Sequence, residues 1–154
     1  MLRNLFLLSG MFIAALSAGQ TQVVRVPLPH SSFPISQGVW VGGTYYLSGT
    51  ADPSAGKSGS TTTAAQTAHA VAAIKEALAV QNLTLGDIVM MRVYLAPDRT
   101  RCGKCDFAGF MAGYTQFFGT ADQPNKPARS VLQAGALVIP GGLVEIEVVA
   151  ARPK

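Results

Sequence analysis

Between Thr62 and Gln81 the apolar residues of this chain change spacing, and that change limits the folds open to it. Ala64, Ala68, Val71, Ile74 and Leu78 fall on one stripe of a helix that ends near Asn82. Such a helix draws most of its stability from packing, so it needs an apolar surface to cover. The runs on either side have strand character. Gln22 to Val26 reads as a first short strand, and Ser31 to Ser36 as a loop containing Pro34. Val39-Trp40-Val41 and Thr44 to Ser48 flank Gly42-Gly43, a two-residue hairpin signal. Asp87 to Leu95 reads as a buried strand, with Met90, Met91 and Tyr94 as packing residues. Ser130 to Leu132 and Leu143 to Ala150 supply two more.

A second helical stripe runs from Phe107 to Phe118 through Phe107, Phe110, Met111, Tyr114, Phe117 and Phe118, and its aromatics read as core. Gly49 to Ser60 is rich in Gly, Ser, Ala and Pro and reads as a connection. His69 lies off the first stripe and reads as a solvated helix residue. The order is β-β-β-α-β-α-β-β in two similar halves. The expected class is α+β: a six-stranded mixed sheet with two helices packed on one face. Two helices cannot cover such a sheet completely. The apolar area left over calls for a partner, most simply copies of the same chain.

The 154 residues, 49% of them hydrophobic, suffice for one domain with a substantial core. A formal net charge of +4 raises nucleic acid as a partner. The cations are scattered, however, and no basic run carries interleaved aromatics, so none is expected. Residues 1–19 differ from the rest. Arg3 gives a positive start, Leu5 to Leu16 is almost wholly apolar, and Ser17-Ala18-Gly19 follows. This is the pattern of a secretory signal peptide, cleaved after Ser17 or Gly19, with an uncleaved anchor as the alternative. A mature domain of residues 20–154 in the periplasm or secreted, without stable membrane insertion, is the expectation.

Both cysteines lie in Arg101-Cys102-Gly103-Lys104-Cys105-Asp106. In an oxidising compartment Cys102 and Cys105 can close a short-loop disulfide or remain structural thiols. A redox or metal role is also open, although no thioredoxin-like strand-helix context surrounds the pair. Zinc would need a second pair of ligands, with only His30 and His69 to draw on. No metal is expected.

In a chain only 13% charged, Pro127-Ala128-Arg129-Ser130-Val131 and Val144-Glu145-Ile146-Glu147-Val148 place charges within strands. An arginine fork suits a carboxylate, and a strand-borne glutamate can hold a water or a proton. Alternation puts Glu145 and Glu147 on the same strand face, so spacing alone does not separate their roles.

From about Ser31 to Ala151 the chain resembles the RidA-like (YjgF-type) reactive intermediate deaminase family. The resemblance is carried by Pro34-Ile35-Ser36-Gln37-Gly38-Val39, Val41-Gly42-Gly43 through Leu47-Ser48-Gly49, and Leu85-Gly86-Asp87-Ile88-Val89 with Val93-Tyr94-Leu95. The Arg129 and Glu145 blocks complete it. It implies a chorismate-mutase-like subunit that forms a homotrimer with sites between subunits. It further implies hydrolysis of amino-acid-derived enamines and imines, such as 2-aminoacrylate, to 2-keto acids and ammonia without any cofactor. This is the activity of a 2-iminobutanoate/2-iminopropanoate deaminase. By the same resemblance Arg129 clamps the substrate carboxylate and Glu145 activates water. Ser48, Gly49, Ile35 and the backbone of Val131 line the pocket, and Glu147 is structural. Three positions depart from the family's habit. Ile35 stands where a tyrosine is common, Met111 where an asparagine is, and Val131 where a cysteine is, which makes the pocket more apolar. A non-catalytic trimeric module that binds small carboxylates, or acts as a chaperone, is the alternative. Thiol or metal chemistry at the cysteines is a third.

Overall fold

The computed structural model describes residues 21–55, 60–98 and 103–152; the expected signal segment and Cys102 lie outside them. Six strands form one mixed sheet: β1 (Val23–Pro27), β2 (Ser36–Val41), β3 (Thr44–Ala51), β4 (Ile88–Leu95), β5 (Ala128–Gln133) and β6 (Val144–Ala151). Their spatial order is β1-β2-β3-β6-β4-β5, and only β4 and β5 run parallel. Helices α1 (Thr63–Val80) and α2 (Phe107–Tyr114) pack on each other and on one face of the sheet. The α+β expectation of six strands and two helices holds.

Local chemistry sets the element ends. The hairpin between β2 and β3 turns at Gly42 and Gly43, with Gly42 at a φ of 58°, where a side chain would be strained. Thr62 caps α1, its hydroxyl accepting from the Ala65 amide at 3.2 Å. Asp106 caps α2 through the Gly109 amide at 2.9 Å. Helix α2 stops at Tyr114, short of the expected Phe118. Thr115 and Gln116 donate side-chain hydrogen bonds to the carbonyls of Met111 and Ala112, and Gly119 reverses the chain at a φ of 75°. Phe107, expected in the core, is 49% exposed at the first turn of α2.

The core lies between helices and sheet, with Tyr45, Val71, Ile74, Leu78, Phe110 and Ile146 fully buried. Burying each large apolar side chain stabilises the fold by about 1.5–3 kcal/mol. The buried stripe of α1 begins with Thr63, Gln66, Thr67 and Ala70, whereas Ala64 and Ala68 are only half-buried. Gln66 is tolerated there because its polar atoms are engaged. Its amide donates to the carbonyls of Ser60 and Gly141 and accepts from the Leu143 amide, pinning the segment before β6 to the helix.

Two further expectations change. Strand β3 continues through Gly49 to Ala51, where a connection was expected, because Thr50 and Ala51 pair with Ile146 and Glu145 of β6. His69 is not a merely solvated helix residue: its Nδ1 lies 2.9 Å from Oδ2 of Asp52, a carboxylate wholly buried beneath it. Seventeen residues separate the two along the chain. Among the described residues no helix packs on the opposite face of the sheet. On it Val41, Tyr46 and Leu132 are 37%, 48% and 47% exposed. Among the described residues no helix is long and apolar enough to cross a membrane.

Candidate functional site

Strand register fixes where Arg129 points. Met91 and Val93 of β4 are buried under the helices, and their partners on β5 are Arg129 and Val131. Both therefore face the helix layer at the sheet's edge, where they are half-buried. Helix α2 lies over that edge. The Arg129 guanidinium carbon sits 4.3 Å from the Tyr114 ring centroid and 5.1 Å from that of Phe110. Cation–π contact holds the charge in place without neutralising it. One terminal nitrogen, Nη2, donates to the Met111 thioether at 3.4 Å. The other, Nη1, is buried and has no hydrogen-bond partner. Burial pushes the Tyr114 phenol above its usual range, and the neighbouring Arg129 opposes that shift.

Glu145 belongs to the other face. On β6, Val144, Ile146 and Val148 are buried under the helices, so Glu145 and Glu147 project from the uncovered side. The two glutamates differ in their company. Glu147 accepts from the Tyr94 hydroxyl at 3.2 Å and lies 3.6 Å from Arg92. Burial, with Glu147 alongside, raises the Tyr94 phenol. Glu145 has no hydrogen bond or ion pair to another side chain among the described residues.

What lies against Glu145 is backbone. Strand β3 carries a bulge between Leu47 and Thr50, so that Ser48 and Gly49 together face Glu147 alone. A side chain on Gly49 would collide with Oε1 of Glu145, so that glycine lets the strand pass over the carboxylate where it now lies. The Ser48 hydroxyl donates to the Ser36 carbonyl at 2.7 Å, tying the bulge to the start of β2. Ile35 precedes that strand and is 54% exposed beside Phe33, at 73%.

The expected site residues thus form two groups in one subunit. Arg129 and Val131 lie with Met111 under α2. Ser48, Gly49 and Glu145 lie together on the open face, and β4 stands between the two groups. Sequence reasoning assigned Phe110 and Tyr114 to the core, which they occupy, but missed that they also cage the arginine. Their spacing four residues apart marks a helix face; nothing local says that a cation from β5 meets it. A cavity of about 750 Å³ at the loop ends, lined by Ala96, Pro97, Leu137 and Ile139 among others, includes none of the expected site residues. Among the described residues no three potential metal ligands cluster.

Residues 28–152 match the model of a family described as Endoribonuclease L-PSP. Among solved structures the chain is similar to yeast Mmf1, with 26% identity and a TM-score of 0.68, over 86% of this chain and 100% of that one. It is also similar to Rv2704 of Mycobacterium tuberculosis, a member of the YjgF/YER057c/UK114 family. There the identity is 28% and the TM-score 0.65, over 84% and 99% of the two chains. NMB1025 of Neisseria meningitidis, a YjgF-family protein, shares the fold at 22% identity and a TM-score of 0.67, over 87% and 98%. No curated protein matches the chain significantly.

Proposed function

We propose a function on the premise that this chain belongs to the endoribonuclease L-PSP (YjgF/RidA) family, whose model its residues 28–152 match. It is a hydrolytic deaminase of reactive enamines and imines, converting them to 2-keto acids and ammonia. One observation carries this reading. Arg129 is held by aromatic faces, keeps a buried and unpartnered Nη1, and forms no ion pair with a carboxylate among the described residues. A buried donor left without a partner is costly, so this geometry favours an anionic ligand.

The substrate carboxylate docks on Arg129, which fixes the imine carbon in place. Glu145 of a second copy orients a water and takes its proton as the oxygen adds to that carbon. With the imine nitrogen protonated, this addition gives a neutral carbinolamine. The proton on Glu145 then passes to its nitrogen, the carbon–nitrogen bond breaks to release ammonia, and the hydroxyl proton returns to Glu145 as the carbonyl forms. An enamine first takes a proton on carbon to become the imine. The second copy is needed because Arg129 and Glu145 occupy opposite faces of their own sheet. A homotrimer that packs the uncovered face against a neighbour meets that need. Export to the periplasm or beyond, on the strength of residues 1–19, belongs to the same proposal.

A non-catalytic carboxylate binder is the second reading, favoured by the fact that the Arg129 cage is complete within one subunit. Turnover separates the two. With an imine generated in solution from an amino acid, the parent protein releases keto acid faster than buffer, and Arg129→Ala loses the effect. Binding of small carboxylates without any acceleration would install the second reading in its place.

A further inference from the structure

Resting on that reading of Arg129, we propose that Met111 sets the substrate class of the site. It selects 2-imino acids whose side chain is apolar and larger than a methyl group. The thioether that Nη2 contacts at 3.4 Å is a weak acceptor on an unbranched, adaptable side chain. An arriving carboxylate offers charge-assisted bonds in its place, so the thioether yields. Met111 is half-buried at the rim of the cage. Once displaced, its sulfur and methyl group remain against whatever the carboxylate carries.

The other groups at this rim are of the same kind. Phe107 lies four residues before Met111 on α2, is 49% exposed, and has its ring centroid 6.1 Å from that of Phe110. Val131 follows Arg129 on the same strand face and is half-buried. Apart from the weakly accepting thioether of Met111, none of the three carries a side-chain group that could satisfy a polar substituent. A branched or aromatic side chain covers them, whereas a methyl group leaves them facing water. The apolar contact is then favourable only for the larger acids.

Binding of the keto-acid products tests this without requiring turnover. Calorimetry on the full-length protein compares pyruvate, 4-methyl-2-oxopentanoate and phenylpyruvate. The two larger acids are expected to bind tighter than pyruvate by about tenfold or more. Met111→Leu keeps the apolar volume and retains the preference. Met111→Gln, similar in length but ending in a strong acceptor for Nη2, brings the ratio close to one. Equal binding of all three acids by the parent overturns the proposal while leaving the carboxylate clamp intact, and so does an unchanged ratio in Met111→Gln. No binding of any keto acid, or binding unaffected by Arg129→Ala, overturns the clamp itself and the function built on it.

Discussion

Arg129 and Glu145 stand on opposite faces of one sheet, on strands β5 and β6 with β4 between them. Register dictates this: Arg129 pairs with buried Met91, while Glu145 pairs with Tyr94 on the uncovered side. One copy of the chain therefore cannot close both groups on a single small substrate, and any shared site is built from two copies.

Subunit mixing turns that geometry into a measurement. Arg129→Ala and Glu145→Gln are each expected to be inactive alone. Refolded together in equal amounts, they form interfaces in which an intact Arg129 from one parent meets an intact Glu145 from the other. Random assembly makes about a quarter of the sites complete, so keto-acid release should recover to about that fraction of the parent rate. Recovery absent from mixtures shown by mass to be hybrid would mean that the two residues do not share a site.

Gly49→Ala probes the second group independently of assembly. The added methyl meets Oε1 of Glu145, and the carboxylate must swing away from the bulge. Stability should fall by only about 1–2 kcal/mol, because Gly49 is exposed and the obstacle is the end of a flexible side chain. The rate should fall further, on the order of tenfold to a hundredfold, since a displaced base loses its alignment. Denaturant melts beside initial rates separate the two effects. A variant with full activity would remove Glu145 from the chemistry.

Much of this architecture is legible in the sequence because its signals are local. Helix α1 follows from its apolar spacing, and the β2–β3 turn follows from Gly42-Gly43. What escapes is set by partners distant in the chain. Gly49, Thr50 and Ala51 look like the start of a loop, yet pairing with β6 extends the strand through a bulge. Alternation shows that Glu145 and Glu147 share a face but not which face the helices cover, nor that Arg92 and Tyr94 engage only Glu147. Phe110 and Tyr114 announce a core, and only the parallel docking of β5 beside β4 brings the Arg129 cation to their rings. The departure at Met111 is visible in the chain; its contact with Arg129 is not.

The link between Asp52 and His69 is another long-range contact, and it makes a prediction about acid. Burial alone would raise the Asp52 carboxyl, but the nearby Ser60 hydroxyl, hydrogen bonds from the Ser54 hydroxyl and amide, and His69 bring it from 3.8 down to about 2. A group whose pKa is depressed on folding stabilises the fold fully above its unfolded value. That contribution is lost as the pH falls from about 4 through about 2, where the unfolded chain takes up the proton first. The size is about 2 kcal/mol. Urea melts of the parent should therefore weaken by about that amount between pH 5 and pH 2, beyond any change shared with a variant lacking the carboxylate. Asp52→Asn should be less stable at pH 7, by about 2 kcal/mol or more, because Ser54 and His69 lose a charged partner. Its stability should also fall less steeply over the acid range. Parallel pH profiles for parent and variant would show that the buried carboxylate contributes nothing through its ionisation.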